Sequence, residues 1–308
     1  MKTKLYISSA ILFFGISLYG QSAKFETNFS DIASSLSNLD ETNLIQLDSV
    51  KVRTKRDVPW FVERFKVSAG FFETLNNTNI RVGTTSGKIG TEIDFEDDLG
   101  FTEFSPSFTA DIQWRSTSRS KFKLSYYNII RKAKYTLEKS IDFGENTYDV
   151  NANITAYFNT VVYRFSYGYA ILSKPKYELG LSIGTHIVGG NVGIALNINN
   201  ANLAAEQDLN FTAPLPNLGI WGGYAFTNRF AINTEFDYLA LKINDTKDQI
   251  LSYNFSGEFK VVNNFHLAAG FSGLNCKVDT VKEKLNGHFR WGNNGVFFKA
   301  SYSFGKKN

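Results

Sequence analysis

Residues 230–240 read Phe-Ala-Ile-Asn-Thr-Glu-Phe-Asp-Tyr-Leu-Ala. Phe230, Ile232, Thr234, Phe236, Tyr238 and Ala240 form one alternate row, and Ala231, Asn233, Glu235, Asp237 and Leu239 form the other. A strand sends successive side chains to opposite faces, so this spacing separates an apolar face from one that carries charge; a helical period would mix them. The stretch that follows does the same, with Leu251, Tyr253, Phe255, Phe259 and Val261 set against Ser252, Asn254, Ser256, Glu258 and Lys260. Upstream, Tyr163, Phe165, Tyr167, Tyr169 and Ile171 alternate with Arg164, Ser166 and Gly168.

Working outward from these runs, short turn signals at Ser116–Ser120, Ser173–Lys176, Thr227–Arg229 and Asn263–Asn264 alternate with longer polar stretches. The longer stretches fall at about 74–102, 135–151, 198–211, 244–248 and 279–293. Between them lie strands at about 62–73, 103–115, 121–134, 153–172, 177–196, 212–226, 230–243, 249–262, 265–278 and 294–304. A soluble sandwich also alternates, but here the apolar faces are crowded with Phe and Tyr, and each strand has the roughly 9–11 residues that cross a bilayer at a tilt. Hydrocarbon cannot solvate an open sheet edge, so such strands must close on themselves. The expected fold is all-β: an antiparallel up-and-down transmembrane β-barrel of about ten strands, with eight or twelve as the alternatives. The run Val296, Phe298, Ala300, Tyr302 and Phe304 resembles the C-terminal targeting strand of outer-membrane barrels, here followed by Gly305–Asn308.

The chain has 308 residues, 28 Phe and 15 Tyr, but one Cys and three His, which excludes a disulfide framework and a Cys-rich zinc site. A net charge of +4 is too small for a nucleic-acid surface. Residues 1–20, with Lys2 and Lys4 before the apolar run Leu5–Leu18, have the layout of a signal peptide. Its removal takes the net charge from +4 to +2 (4 − 2). Residues 21–60 are expected to be a polar N-terminal extension, either a tail or a segment that enters the barrel or meets a periplasmic partner, and residues 61–304 the barrel itself. The location that follows is the cell outer membrane.

If the aromatic faces meet lipid, the opposite faces point into the lumen. They carry the cations Lys66, Lys123, Arg131, Arg164, Lys260 and Lys299, and the carboxylates Asp111, Glu178, Glu235, Asp237 and Glu258. The signs nearly cancel, and buried ions are costly unless paired, so a salt-bridged interior that holds the barrel shut is expected; a narrow charge-lined channel for small solutes is the alternative. Asp94, Glu96, Asp97 and Asp98 form an acidic loop, which reads as a solvated rim or, alternatively, as oxygen ligands for Ca²⁺ or a bridge to lipopolysaccharide phosphates. No cofactor, metal or catalytic site is expected. His186, His266 and His288 are scattered and none has a Ser two residues away as a barrel deacylase would require. Cys276 is isolated. Pro214 and Pro216 are expected to make the outer end of their strand irregular, with regular pairing from Leu218, and Pro106 to do likewise in the second strand. The expected partners are membrane lipid, lipopolysaccharide and the outer-membrane assembly machinery, with no nucleic acid, and the expected state is a monomer.

The segments Ile93–Gly100, Lys123–Tyr127, Tyr163–Tyr167 and Ala213–Pro216 together resemble a family of outer-membrane β-barrel proteins of Gram-negative bacteria, over about residues 60–304. The resemblance implies a fold and a location but no activity. The role expected from it is structural or one of surface interaction.

Overall fold

The structure is a computed structural model that describes residues 58–83, 90–198, 202–243, 246–282 and 285–305. The signal-peptide assignment and most of the N-terminal extension lie outside the described residues. In chain order the elements are β1 (Phe65–Val82), β2 (Glu92–Asp94), α1 (Phe95–Leu99), β3 (Phe104–Arg115), β4 (Ser120–Thr136), β5 (Ile141–Phe143) and β6 (Asn146–Tyr148). They continue with β7 (Asn153–Ser173), β8 (Tyr177–Ile198), β9 (Asn202–Ala225), β10 (Phe230–Ile243), β11 (Thr246–Val262), β12 (Phe265–Lys282) and β13 (Leu285–Phe304).

Among the described residues ten long strands pair antiparallel in the order β1, β3, β4, β7, β8, β9, β10, β11, β12, β13. The ring closes where β1 meets β13, in unbroken register from Phe65↔Phe304 to Val82↔Gly287. The chain is therefore a closed up-and-down barrel. The four short turns lie at one end together with the start of β1 and the end of β13, the end that faces the periplasm in bacterial barrels.

Alternation reverses its sense along each strand. Near the short turns β13 turns Phe304, Tyr302, Phe298 and Val296 outward, and Ser303, Ser301 and Lys299 inward. Farther along, Asn294 and Arg290 face out while Trp291 and Phe289 face in. On β7, Phe165 faces out and Arg164 in, whereas one turn of the pattern later Asn159 faces out and Phe158 in. The first regime suits lipid outside and the second suits water outside. The segment Val296–Phe304 has the length that crosses a bilayer, so the barrel continues well beyond the membrane on its extracellular side.

This extension corrects part of the sequence reading. The stretches at 198–211, 244–248 and 279–293 are mostly strand, because β8 and β9 run to Ile198 and from Asn202, and β12 and β13 run to Lys282 and from Leu285. Above the membrane the outer face is polar, so the expected aromatic alternation vanishes although the ladder of backbone hydrogen bonds persists. Likewise β1 runs to Val82, and among the described residues 90–103 and 137–152 are the excursions from the ring, which contain β2 with α1 and the β5–β6 hairpin.

The proline expectation is half met. Pro216 and Pro214 sit in regular register opposite Thr185 and Ile187 of β8. The β9–β10 pairing nevertheless ends at Leu218↔Tyr238, although both strands continue. Pro106 behaves alike: it pairs with Glu73 of β1, while β3–β4 pairing begins only at Phe108↔Asn128. Each of these strands keeps one neighbour and loses the other.

Phe71 is 75% exposed on the outer face between Phe108 and Phe298, in the middle of the apolar band. Phe71→Lys is expected to destabilise the barrel by about 2–4 kcal/mol in vesicle unfolding titrations, and Asn77→Lys, above the band, by about 0–1 kcal/mol. Equal effects would show that the band is misplaced.

Candidate functional site

The lumen is filled in three layers. At the periplasmic mouth the chain just before β1 folds inward. Phe61 and Val62 are buried with Ala225 and Ala231, and Val58 and Trp60 pack against them. The Trp60 indole donates to the Thr227 carbonyl at 2.9 Å and stands edge-on to His266 at 5.5 Å. The Arg115 amide donates to the Arg64 carbonyl, which ties this hook to the wall. Of the extension only residues 58–60 are described, and Val58 and Trp60 lie against this mouth; residues 21–57 lie outside the described residues.

The middle layer is the charged network. Glu235 accepts from Lys123 and Arg164, each at 2.9 Å, and from Lys121 at 3.3 Å; Arg164 also reaches Asp237 at 2.7 Å. Lys299 pairs with Asp111 at 2.6 Å and Arg115 with Glu178. Glu258 is shared by Lys66, His266 and the Asn233 amide. These groups come from strands on all sides of the ring, so the ion pairs brace it across its width. Trp221 packs among these groups with Lys121 over its ring at 3.5 Å. Gly180 allows this, because a Cβ there would lie 2.5 Å from the indole.

Two small cavities remain in this layer, of about 110 and 70 Å³. They share walls at Asp111, Lys123, Glu235, Asn254, Phe297 and Lys299. Phe72, Tyr127 and Leu274 border the second. His186 is buried beside Arg164 on β8 and meets the Asn217 amide at 2.8 Å.

The outer layer is apolar. Phe95, Leu99 and Phe101 from the first excursion and Ile141, Phe143 and Tyr148 from the β5–β6 hairpin pack against Ile129, Phe158, Val192, Ile250, Leu274 and Trp291 of the wall. The Tyr148 hydroxyl donates to the Ile194 carbonyl at 2.8 Å, which fastens the hairpin to β8. Asp94 caps α1 by accepting from the amides of Glu96 and Asp97, and Gly100 ends it at φ 67°, with the Tyr135 ring 2.6 Å from where a Cβ would stand.

The sequence-derived network is largely brought together, with two exceptions. Arg131 belongs to the outer layer: its guanidinium binds Glu96, the Thr78 hydroxyl and the Thr102 carbonyl, and clamps the acidic loop inside the mouth. Lys260 lies at the periplasmic mouth, 5.1 Å over the Trp60 ring. Arg115 and Lys121 join the network beyond the residues the sequence pointed to; both share the inward parity of Asp111 and Lys123, but they flank the short β3–β4 turn, where the alternating run is interrupted.

The acidic loop is a structural element. Glu96 accepts from the Thr78 amide as well as Arg131, Asp98 takes the Asp94 amide and Lys139, and Asp94 is the cap. Burial pushes the Glu96 carboxyl above its ordinary value against the pull of the Thr78 amide and Arg131. The pair therefore fixes geometry more than it adds stability. His266 and His288 contact Glu258 and Asn79, and among the described residues no histidine hydrogen-bonds a hydroxyl.

These features define a transmembrane β-barrel of the outer-membrane type found in Gram-negative bacteria, and its aromatic band places it in the outer membrane. No protein-family model and no curated protein matches the chain. Among solved structures it is similar to the outer membrane protease OmpT from Escherichia coli, with 10% identity, 78% of this chain and 96% of that chain covered, and a TM-score of 0.51. It also matches the translocator domain of the autotransporter NalP from Neisseria meningitidis (10% identity, 90% and 98% covered, TM-score 0.44). A third match is the toluene transporter TodX from Pseudomonas putida (11%, 78% and 89%, 0.32). At these identities the likeness is one of fold.

Glu235→Gln leaves Lys121, Lys123 and Arg164 short of a carboxylate, and is expected to cost about 3–5 kcal/mol in urea unfolding followed by tryptophan fluorescence. Adding Lys123→Met removes one of the stranded charges and should recover part of that loss. An unchanged midpoint in the single variant would mean the network does not brace the ring.

Proposed function

We propose that this protein is a closed, non-enzymatic barrel that acts through its surfaces rather than by passing solutes. One observation carries the reading: the lumen is filled in series by an aromatic hook, a charge-paired layer and an apolar plug. An ion would have to displace all three. A charged lining alone would be compatible with a narrow channel, since rings of charge also give pores selectivity. The outer layer argues against that, because it is mainly apolar and its buried ion pair, Arg131 with Glu96, is already bonded to Thr78 and Thr102.

The surfaces left to act are the lipid-facing wall and the extracellular rim. The partners are then the surrounding lipid, lipopolysaccharide included, and, during insertion, the assembly machinery that reads the terminal strand Val296–Phe304. A ring closed through its own β1–β13 pairing supports a monomer. His266 stands opposite Ser301 but is bonded to Glu258, and the Ser301 hydroxyl is bonded to Ser68; among the described residues no histidine hydrogen-bonds a hydroxyl, which favours a role without catalysis.

Planar-bilayer recordings test the reading. The unmutated protein is expected to give no steady single-channel current, and Glu235→Ala should stay closed because the other two layers remain. Phe61→Ala combined with Glu235→Ala and removal of 141–148 should admit ions. Large, steady currents from the unmutated barrel would establish the channel instead.

A further inference from the structure

Between the aromatic hook and the apolar plug, the charges of the lumen do not cancel. The larger cavity is walled by the cations Lys66, Arg115, Lys121, Lys123 and Lys299 and by the carboxylates Asp111, Glu178, Glu235 and Glu258, which leaves one cation in excess (5 − 4 = 1). The smaller cavity adds Arg164 and Asp237, one of each sign and paired at 2.7 Å, and the mouth adds Lys260 and Glu63. The excess of one therefore holds for the inward charges of the whole layer among the described residues. His266 draws further on Glu258, which Lys66 already engages.

The excess has a place. Lys299 with Asp111, Lys66 with Glu258 and Arg115 with Glu178 form separate pairs. Glu235 is left to serve Lys123 and Arg164, each at 2.9 Å, and reaches Lys121 only at 3.3 Å. Lys121 stands directly across the β3–β4 ladder from Arg115, and like charges opposed in this way repel. The Trp221 ring at 3.5 Å attracts the ammonium without neutralising it. The Arg115 side chain is 3% exposed, and its Nε has no hydrogen-bond partner. Both residues line the larger cavity, whose volume of about 110 Å³ takes a small ion together with water for the remaining polar atoms, Glu178 Oε2 among them. A buried charge without a counter-charge is costly, so this layer is suited to hold a counter-ion.

We propose that the larger lumen cavity is a binding site for a small inorganic anion of halide size, held by Lys121 and Arg115. A cavity of this volume, shared with water, leaves no room for a larger organic acid. The inference rests on the charge count and not on the lumen being closed to ions.

Crystals of the full barrel grown with bromide in place of chloride are expected to show an anomalous bromide peak in this cavity. At constant ionic strength and fixed urea, replacing chloride by the bulky anion gluconate should raise the unfolding equilibrium constant about fivefold or more. Lys121→Met removes the excess charge and should abolish both the peak and the chloride dependence. Lys132→Met, at an exposed cation on the outer face of the same strand, should keep both; heat-dependent mobility in gels checks that each variant is folded. Glu235→Gln raises the excess to two (5 − 3 = 2) and should steepen the chloride dependence. No peak in the unmutated protein, or a chloride dependence that survives unchanged in Lys121→Met, would overturn the proposal. A peak with no effect of chloride on unfolding would mark an adventitious ion only and overturn it too. So would a stability that changes with pH but not with chloride, which would mean that a lysine sheds its proton instead. Conductance enters none of these readouts, so failure here is separate from failure of the closed-barrel reading.

Discussion

Hydrocarbon offers no partner for a backbone amide, and this constraint governs the rest of the molecule. A strand array of this kind is stable in a bilayer only when its first and last strands pair, and the continuous β1–β13 register provides that closure. The even strand number and the gathering of the short turns at one end follow from it. So does the treatment of the two places where the ring loosens. Both Pro106 and the Pro214/Pro216 pair fall where a strand has a single neighbour, so the missing donors coincide with the missing partner.

Closure creates an interior, and the medium outside decides what that interior contains. Where the wall meets lipid, apolar side chains gain nothing by turning inward, and the lumen takes the polar ones. Their charges must then satisfy one another, which Glu235 does for three cations and Glu258 for Lys66 with His266. Above the membrane the wall meets water, and the same barrel becomes an ordinary soluble one with an apolar core. The two excursions that carry Phe95, Leu99, Ile141 and Phe143 supply this core from the middle, since a ten-stranded wall alone leaves space that its own side chains do not fill.

The legible part of the sequence was the part governed by lipid. Alternation at 157–171, 230–240 and 249–261 placed strands, faces and inward charges, because in that region one face is uniformly apolar. It failed where the apolar parity flips, as between Phe165 and Phe158 on β7 or Phe298 and Trp291 on β13. A reader following one face meets Asn and Gly there and infers a loop, although pairing continues to Lys282↔Leu285. Arg131 was misassigned for the same reason: its parity is inward, but it lies past the flip, among apolar neighbours and opposite Glu96. The partner came from a loop whose inward folding no periodicity encodes.

The flip also explains why a charge network and an apolar plug can share one lumen without competing. Burying ion pairs next to hydrophobic residues is unfavourable unless every charge has a partner within the polar layer, and Phe72, Tyr127 and Leu274 mark a boundary below which the pairs are complete. Above it, the buried pair of Arg131 with Glu96 makes additional bonds with the Thr78 hydroxyl, the Thr78 amide and the Thr102 carbonyl. Those bonds replace the water that the layer excludes, and they hold α1 in the mouth. Within the acidic run, Asp97 stays exposed as a rim residue would, while Glu96 is the device by which a polar loop is held in an apolar core.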